Sequence, residues 1–345
     1  MFLKKLTIKN FRNYDNSKIN FDNCLNLIIG KNGKGKTNIL EAVFFLSTTS
    51  SHRTGTTLDL IKDGKSKFYL KADIEDSNGP VDIEIGYGRK EGFKAKINGT
   101  KVKRKNVVEK FPAVLFSPED IEIIKGSPGE LRRMINISIA QINPLYINDL
   151  VRYKKVLKER NACLKIVVKQ KNIKEKDNIN LKIWTGELKN ITEIIIKERK
   201  KFITNIKGAI VKETERMELK EKIDVEYEPS EFRGNSSLRR DIENAHTTWG
   251  AHRDNYSFKF NGLNVKSHCS RGEIRITALL YRMAIWKLIK EARNKDPIIM
   301  LDDIFSELDM EKREKIRNYI QDLQTIITST EMPEEFANSA NLVNI

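Results

Sequence analysis

Cysteine is nearly absent. Cys24, Cys163 and Cys269 are the only three in 345 residues. Three at wide spacing supply neither a disulfide framework nor a cysteine-based zinc set, and a reducing cytoplasm is the expected compartment. Histidine is as scarce: His52, His246, His252 and His268 show no metal-ligand spacing. Long apolar runs are missing too. None approaches the ~20 residues that span a bilayer. The N-terminus, where Lys4 and Lys5 fall in a strand-like pattern, is expected to carry no secretory leader. Repeats, low-complexity tracts and sustained heptads are absent, which argues against an extended coiled-coil arm. Acidic residues are outnumbered 47 to 63 by basic ones, leaving a net charge of +16. A chain this basic meets nucleic acid or an anionic membrane, and without a spanning segment nucleic acid is preferred.

Against these absences stands one dense motif. Gly30-Lys31-Asn32-Gly33-Lys34-Gly35-Lys36-Thr37 fits G-x-x-x-x-G-K-[ST]. The apolar stretch 25–29 before it reads as a buried strand, and residues 38–46 after it read as a helix. Glycines allow the tight turn that aims successive N–H groups at phosphate oxygens. The helix N-terminus adds partial positive charge. Lys36 is expected to reach the β- and γ-phosphates of ATP and Thr37 to ligate Mg²⁺. Asn38 and Glu41 are expected to fix the helix that follows the loop.

The second half of a nucleotide site lies far along the chain. Residues 297–303 form an apolar run ending in Asp302-Asp303, the pattern of a central parallel strand covered on both faces. Asp302 is placed to hold Mg²⁺ and Asp303 to orient or deprotonate the attacking water. Taken alone, the pair reads equally well as a strand followed by a helix N-cap. Residues 324–330 read as a further strand ending in hydroxyls. Before Asp302, Ser270-Arg271-Gly272-Glu273 opens a helical run over 274–290, and a Ser and a Gly at a helix N-terminus suit an anion.

The separation of Lys36 from Asp302 is far longer than one βα crossover needs, so the fold class is α/β with a large insertion. Residues 1–117 alternate like strands, with Asn98-Gly99 as a tight-hairpin signal. Residues 118–238 read as an inserted, compact, mainly helical lobe, with a helical pattern up to about residue 231. Residues 239–345 resume the head, with a strand and turn at 256–262. Positive charge gathers in Lys94, Lys96, Lys101, Lys103, Arg104 and Lys105 around the hairpin, and on the lobe at Arg152, Lys154, Lys155, Lys158 and Arg160. Such runs give salt-sensitive duplex binding when they share a face, and are otherwise solvated surface. No aromatic platform for stacking single strands is evident.

These motifs together resemble the ABC-type P-loop ATPase head, and within it the RecF family of the SMC-like group. The resemblance rests on residues 3–14, 35–42 and 116–120, on His252-Arg253-Asp254, and on Leu301 to Asp309, so it spans nearly the whole chain. It implies an ATP-dependent homodimer in which Ser270 and Gly272 of one subunit cap the γ-phosphate held by the other. It also implies duplex DNA and single-strand/double-strand junctions as ligands, and work with RecO and RecR to load the RecA recombinase. Arg53 matches a position near the nucleotide, as a phosphate sensor or a surface ion pair. Ser306 and Asp309 match a loop that bridges the dimer, though helix capping accounts for Asp309 as well. The chain departs from the family's pattern at Arg271, Glu273 and Ala251. A head ATPase of an SMC-like DNA-end processing complex is the alternative, disfavoured by the missing heptads. A transporter subunit is disfavoured by the basic charge, and a metabolic kinase by the Ser270 motif.

Asp303 stands where many ABC ATPases use the longer Glu, leaving its carboxylate about one methylene short of the water. Turnover below roughly 10 s⁻¹, the ordinary enzyme median, is the expected result of a steady-state phosphate-release assay.

Overall fold

The computed structural model describes residues 1–169, 175–305, 310–332, 336 and 340–344. The N-terminal part holds β1 (Phe2–Phe11), β2 (Tyr14–Asn20), β3 (Leu25–Ile29), α1 (Lys36–Thr48), β4 (Lys67–Asp76), β5 (Gly79–Gly88), β6 (Gly92–Ile97), β7 (Thr100–Lys101), α2 (Arg104–Lys110) and β8 (Ala113–Phe116). The lobe follows with α3 (Glu119–Lys125), α4 (Pro128–Ile142), α5 (Tyr146–Lys169), α6 (Glu175–Arg216), β9 (Ile223–Glu228) and α7 (Asn235–Asn244). The chain then returns through β10 (Asn255–Phe260), β11 (Leu263–Asn264), α8 (Val265–His268), α9 (Arg271–Arg293), β12 (Ile298–Asp302), α10 (Met310–Ile320), β13 (Thr325–Ser329) and β14 (Asn341–Asn344).

A five-stranded sheet in the order β14-β3-β13-β12-β8 forms the centre, and each adjacent pair of its strands runs parallel. Its side chains divide by the period of two that pleating imposes. Leu27, Val114, Phe116, Ile299, Leu301 and Ile327 face one core. Ile28, Ala113, Leu115, Ile298, Met300 and Ile326 face another. Both faces are therefore covered, as a buried parallel sheet requires. The apolar run ending in Asp302 is such a strand, as its sequence implied.

The first core is capped by the lobe and by α9, and the second by α1 and a six-stranded antiparallel sheet, β2-β1-β4-β5-β6-β7. Leu3, Leu6, Phe68, Leu70, Ile83 and Ile85 fill that sheet's inner face. Helix α1 is apolar on almost every side because it is sandwiched between the two sheets. Asn98 and Gly99 take φ of 48° and 76°, and Asn261 and Gly262 take 49° and 85°. Both dipeptides make the tight turns that their sequence signalled.

The helical reading of the lobe fails at one place. Ile223–Glu228 is the strand β9, paired antiparallel with β10. Its alternation of buried Ile223 and Val225 with more exposed neighbours is a strand period that the surrounding helices masked. A boundary at residue 238 thus falls between two strands of one sheet. The 24-residue α5 packs on the 42-residue α6, and toward the far end Leu164, Val167 and Leu181 make a small cluster of their own. Among the described residues no helix is long and apolar enough to cross a membrane.

Buried charge ties the lobe to the strands. Arg199 of α6 pairs with Asp254, and its guanidinium also donates to the Ala251 carbonyl at 2.7 Å and to Tyr146 Oη at 3.1 Å. Asp254 in turn accepts from Tyr227 Oη at 2.5 Å and from the Ser230 amide at 2.8 Å. In the same region His252 Nδ1 lies 2.6 Å from Tyr153 Oη, and Nε2 lies 3.2 Å from the Thr247 carbonyl.

Burial holds His252 down to about 4, against an ordinary value near 6.5. Above about pH 6.5 the ring is neutral in both folded and unfolded chains, and no stability depends on it. Between about 6.5 and 4 the unfolded chain takes up a proton that the fold resists, so stability falls with falling pH, by up to about 3 kcal/mol. Urea midpoints measured from pH 7 to pH 4.5 should drop, and the drop should be smaller in His252→Gln.

Candidate nucleotide-binding site

The phosphate loop begins where β3 ends. Gly30 N–H donates to the Ser329 carbonyl at the end of β13 at 3.4 Å, holding the loop's entrance level with the sheet edge. Gly33 and Gly35 adopt φ of +83° and +104°. At this φ a side chain on residue 35 is strained, and its Cβ would also displace the Asn13 amide, whose Nδ2 it would meet at 2.6 Å. Asn13 Nδ2 also donates to the Lys34 carbonyl at 3.2 Å, and Tyr14 Oη to the Gly35 carbonyl at 3.3 Å. The β1–β2 turn therefore braces the loop from outside.

Lys36 is buried, and its ammonium donates to the carbonyls of Gly30 at 2.5 Å and Lys31 at 3.3 Å. The cation lies within the loop it would use to meet phosphate. Thr37 Oγ1 donates to Asp302 Oδ1 at 3.1 Å, and Thr328 Oγ1 to the same oxygen at 2.5 Å. Residues 265 positions apart thus meet at the C-terminal edge of the parallel sheet, where β13 lies between β3 and β12. Burial raises the Asp302 carboxyl above the ordinary range, the bonds from Thr328 and Thr37 oppose this, and the charges of Glu119 and Asp303 add to it. A half-buried hydroxyl and a buried carboxylate converging beside a glycine cradle suit Mg²⁺ completed by nucleotide phosphates. No cluster of three or more acidic, His or Cys side chains that could hold a metal alone occurs among the described residues.

Asp303 has φ of 49°, and its amide donates to the Thr328 carbonyl and hydroxyl, each at 3.2 Å. The left-handed turn redirects the chain as it leaves β12. Asn38 Nδ2 donates to Asn13 Oδ1 at 2.8 Å, and Arg53 donates to Asn38 Oδ1 at 3.2 Å. Arg53 Nε also lies 3.2 Å from Glu119 Oε1, so this arginine joins the start of α1 to the start of α3. Glu41 is fully buried and takes two 2.8 Å bonds from Arg12, which fixes the helix as the sequence suggested.

Ser270 is the N-cap of α9. Its amide and hydroxyl donate to Glu273 Oε2 at 2.7 and 2.8 Å, completing a capping box. Arg271 and Gly272 are exposed beside it. These hydrogen bonds of Ser270 stay on its own helix, and none reaches the phosphate loop of the same chain among the described residues. Ser306 and Asp309 lie outside the described residues.

The basic hairpin divides. Lys94 and Lys96 project from the outer face of β6, Lys101 sits opposite Lys96 on β7, and Lys103 is exposed, with Lys105 half-buried. Arg104 does not join that solvent face. Its guanidinium lies 3.9 Å over the Phe93 ring and donates to the Thr49 carbonyl at 2.9 Å, at the negative end of α1. Sequence reasoning missed Arg12, Asn13 and Thr328, which all shape the site. Thr328 carried a signal, as a hydroxyl at the end of a strand. Arg12 and Asn13 fall in the opening stretch 3–14 that carries the family resemblance, but nothing local marked them as bracing the loop, because their partners are distant in sequence.

Comparison with known proteins agrees with this geometry. Residues 2–345 match the family model described as RecF/RecN/SMC N terminal domain. The chain is 36% identical to the DNA replication and repair protein RecF of Acetivibrio thermocellus, over 96% of this chain and 94% of that one. The RecF of Clostridium acetobutylicum is 34% identical over 96% and 93%. Among solved structures, a recombination mediator protein RecF with ATP, of the RecFOR pathway, superposes with a TM-score of 0.87 and 30% identity, covering 96% of this chain and 93% of that one. An Smc head bound to the C-terminal winged-helix domain of ScpA matches at 0.55 and 16% identity, a likeness of fold alone.

Lys36→Ala should weaken ATP binding at least tenfold, measured with a fluorescent analogue, with a thermal midpoint near that of the unaltered protein. Gly35→Ala should do the same, since a Cβ at φ of +104° is strained and displaces the Asn13 side chain that braces the loop.

Proposed function

The chain belongs to the RecF family within the RecF/RecN/SMC group, and on that premise we propose that it is an ATP-gated DNA-binding protein of recombinational repair. The observation that carries this is the meeting of Thr37 with Asp302 under the glycine loop, the arrangement a magnesium nucleotide needs. Lys36 leaves its loop carbonyls for the β- and γ-phosphates, Thr37 and Asp302 hold Mg²⁺, and Asp303 faces the attacking water. Ser270 and Gly272 of a second copy close over the γ-phosphate. The exposed α9 tip, whose Ser270 hydrogen bonds stay on its own helix, supports a contact made in trans. Such an interface is isologous, with two nucleotides shared between two heads.

ATP that binds the pair better than the single head drives pairing by linkage. Pairing doubles the basic surface offered to a duplex, and Lys94, Lys96, Lys101 and Lys103 supply cations on the exposed side of each head. Slow hydrolysis removes the bridging phosphate and releases DNA. Work beside RecO and RecR, toward loading RecA at gapped DNA, follows from family membership.

Sizing by light scattering should show the mass double with ATP and magnesium, but not with ADP or in Lys36→Ala. Affinity for a short duplex should rise at least tenfold with ATP and fall steeply with salt. An unchanged mass with ATP, or DNA binding indifferent to nucleotide, would overturn the reading.

A further inference from the structure

A cleft of about 690 Å³ opens between the lobe and the loop that follows α1. Part of its wall is α5, where Ile147, Leu150, Val151 and Leu157 recur at helical spacing. Val151 is 62% exposed, and the other three are half-buried. The rest of the wall is basic. Arg104 Nη1 donates to the Thr49 carbonyl at 2.9 Å, and Arg133 donates to the carbonyls of Ser51 and Thr54. Arg132 Nη1 donates to the Asp254 carbonyl at 2.8 Å, and His252 also lines the cleft. The space thus rests on the His252-Arg253-Asp254 turn, which the nucleotide site does not use. None of the three arginines forms an ion pair among the described residues. Burial pushes all three below the ordinary arginine value. Each has spent one nitrogen on neutral carbonyls, and most of its five donors are left over. Partly desolvated cations without carboxylate partners draw an anion strongly.

We propose that this cleft is a docking groove for an acidic peptide segment of a partner protein. The segment's carboxylates pair with Arg104, Arg132 and Arg133, and its apolar side chains lie on Ile147, Leu150, Val151 and Leu157. Charge complementarity selects the partner's sign, since the wall holds three unpaired cations. The apolar stripe selects a peptide over other anions. A small free anion would leave that stripe uncovered. Duplex DNA offers phosphates along its outside and no apolar side chains to set against α5. A single strand needs an aromatic platform, and Tyr153, the one aromatic ring in the wall, is buried. From Ile147 to Leu157 the stripe runs about 15 Å along the helix. That is the reach of about five residues of extended chain.

The test needs no named partner and does not depend on nucleotide. A phage-displayed library of random short peptides is selected on the full-length protein. The enriched peptides are then made with a fluorescent label and titrated by anisotropy. The expected peptides alternate Asp or Glu with Leu or Phe. Their affinity should fall at least tenfold in Val151→Asp, which brings a like charge to the groove. It should fall as far when the peptide's carboxylates are replaced by amides. Val151→Lys should also weaken binding, because it removes the apolar contact while adding a cation. ATP-analogue affinity and thermal midpoint should match the unaltered protein in both variants, since Val151 is exposed and remote in sequence from the phosphate loop. Selection that enriches no acidic sequence overturns the proposal, as does equal binding to Val151→Asp and the unaltered protein. Tighter binding to Val151→Lys would show attraction by charge alone and overturn it too. An oligothymidylate that displaces the peptide and loses its own affinity in Val151→Asp would make the groove a single-strand site instead.

Discussion

The site exists because a parallel sheet is buried on both faces. Once two cores claim alternate side chains of β3, β8, β12 and β13, each of those strands is fixed in register and height. Their C-terminal ends then open into one crevice, the place where sheets of this kind bind ligands. Gly30 follows β3, Glu119 follows β8 within a few residues, Asp302 ends β12, and Thr328 lies near the end of β13. Four segments scattered over the sequence are brought to one level by packing alone.

Within that crevice the chemistry is arranged by competition for a few buried atoms. Asp302 Oδ1 is shared by Thr37 and Thr328, and Glu41 is shared by Arg12 and Ser51. Asn13 touches both the loop and Asn38. Buried polar groups are costly to leave unpaired, so these partners hold one another in place before any nucleotide arrives. Arg53 extends the same network across to α3, linking the loop's helix to the lobe. The lobe is in turn anchored by the buried Arg199–Asp254 pair and by Arg282–Asp120.

Much of this was legible before any coordinates. The glycine loop has a fixed spacing, the Asn-Gly turns demand positive φ, and the strand into Asp302 is too apolar to be anything but central. These are local signals, and the structure bears them out. Features that depend on distant partners were not legible. Strand β9 was hidden by the helices before it, because six residues with a period of two are easily absorbed into a helical pattern. Arg104 was counted among solvent cations, since nothing local reveals that Phe93 and the end of α1 will claim it. The Arg12–Glu41 bond and the bracing by Asn13 need the fold to bring them together. The contact proposed for Ser270 in trans requires a second copy, which no single chain contains.

The capping box on α9 has an energetic corollary. Ser270 has already committed its amide and hydroxyl to the Glu273 carboxylate. An anion arriving at that helix tip must therefore evict a resident negative charge instead of filling an open berth. The net gain is the difference between two similar sets of bonds, so only a strongly charged and well-aimed newcomer prevails. A tip guarded in this way discriminates by threshold, staying shut to weak or passing anions.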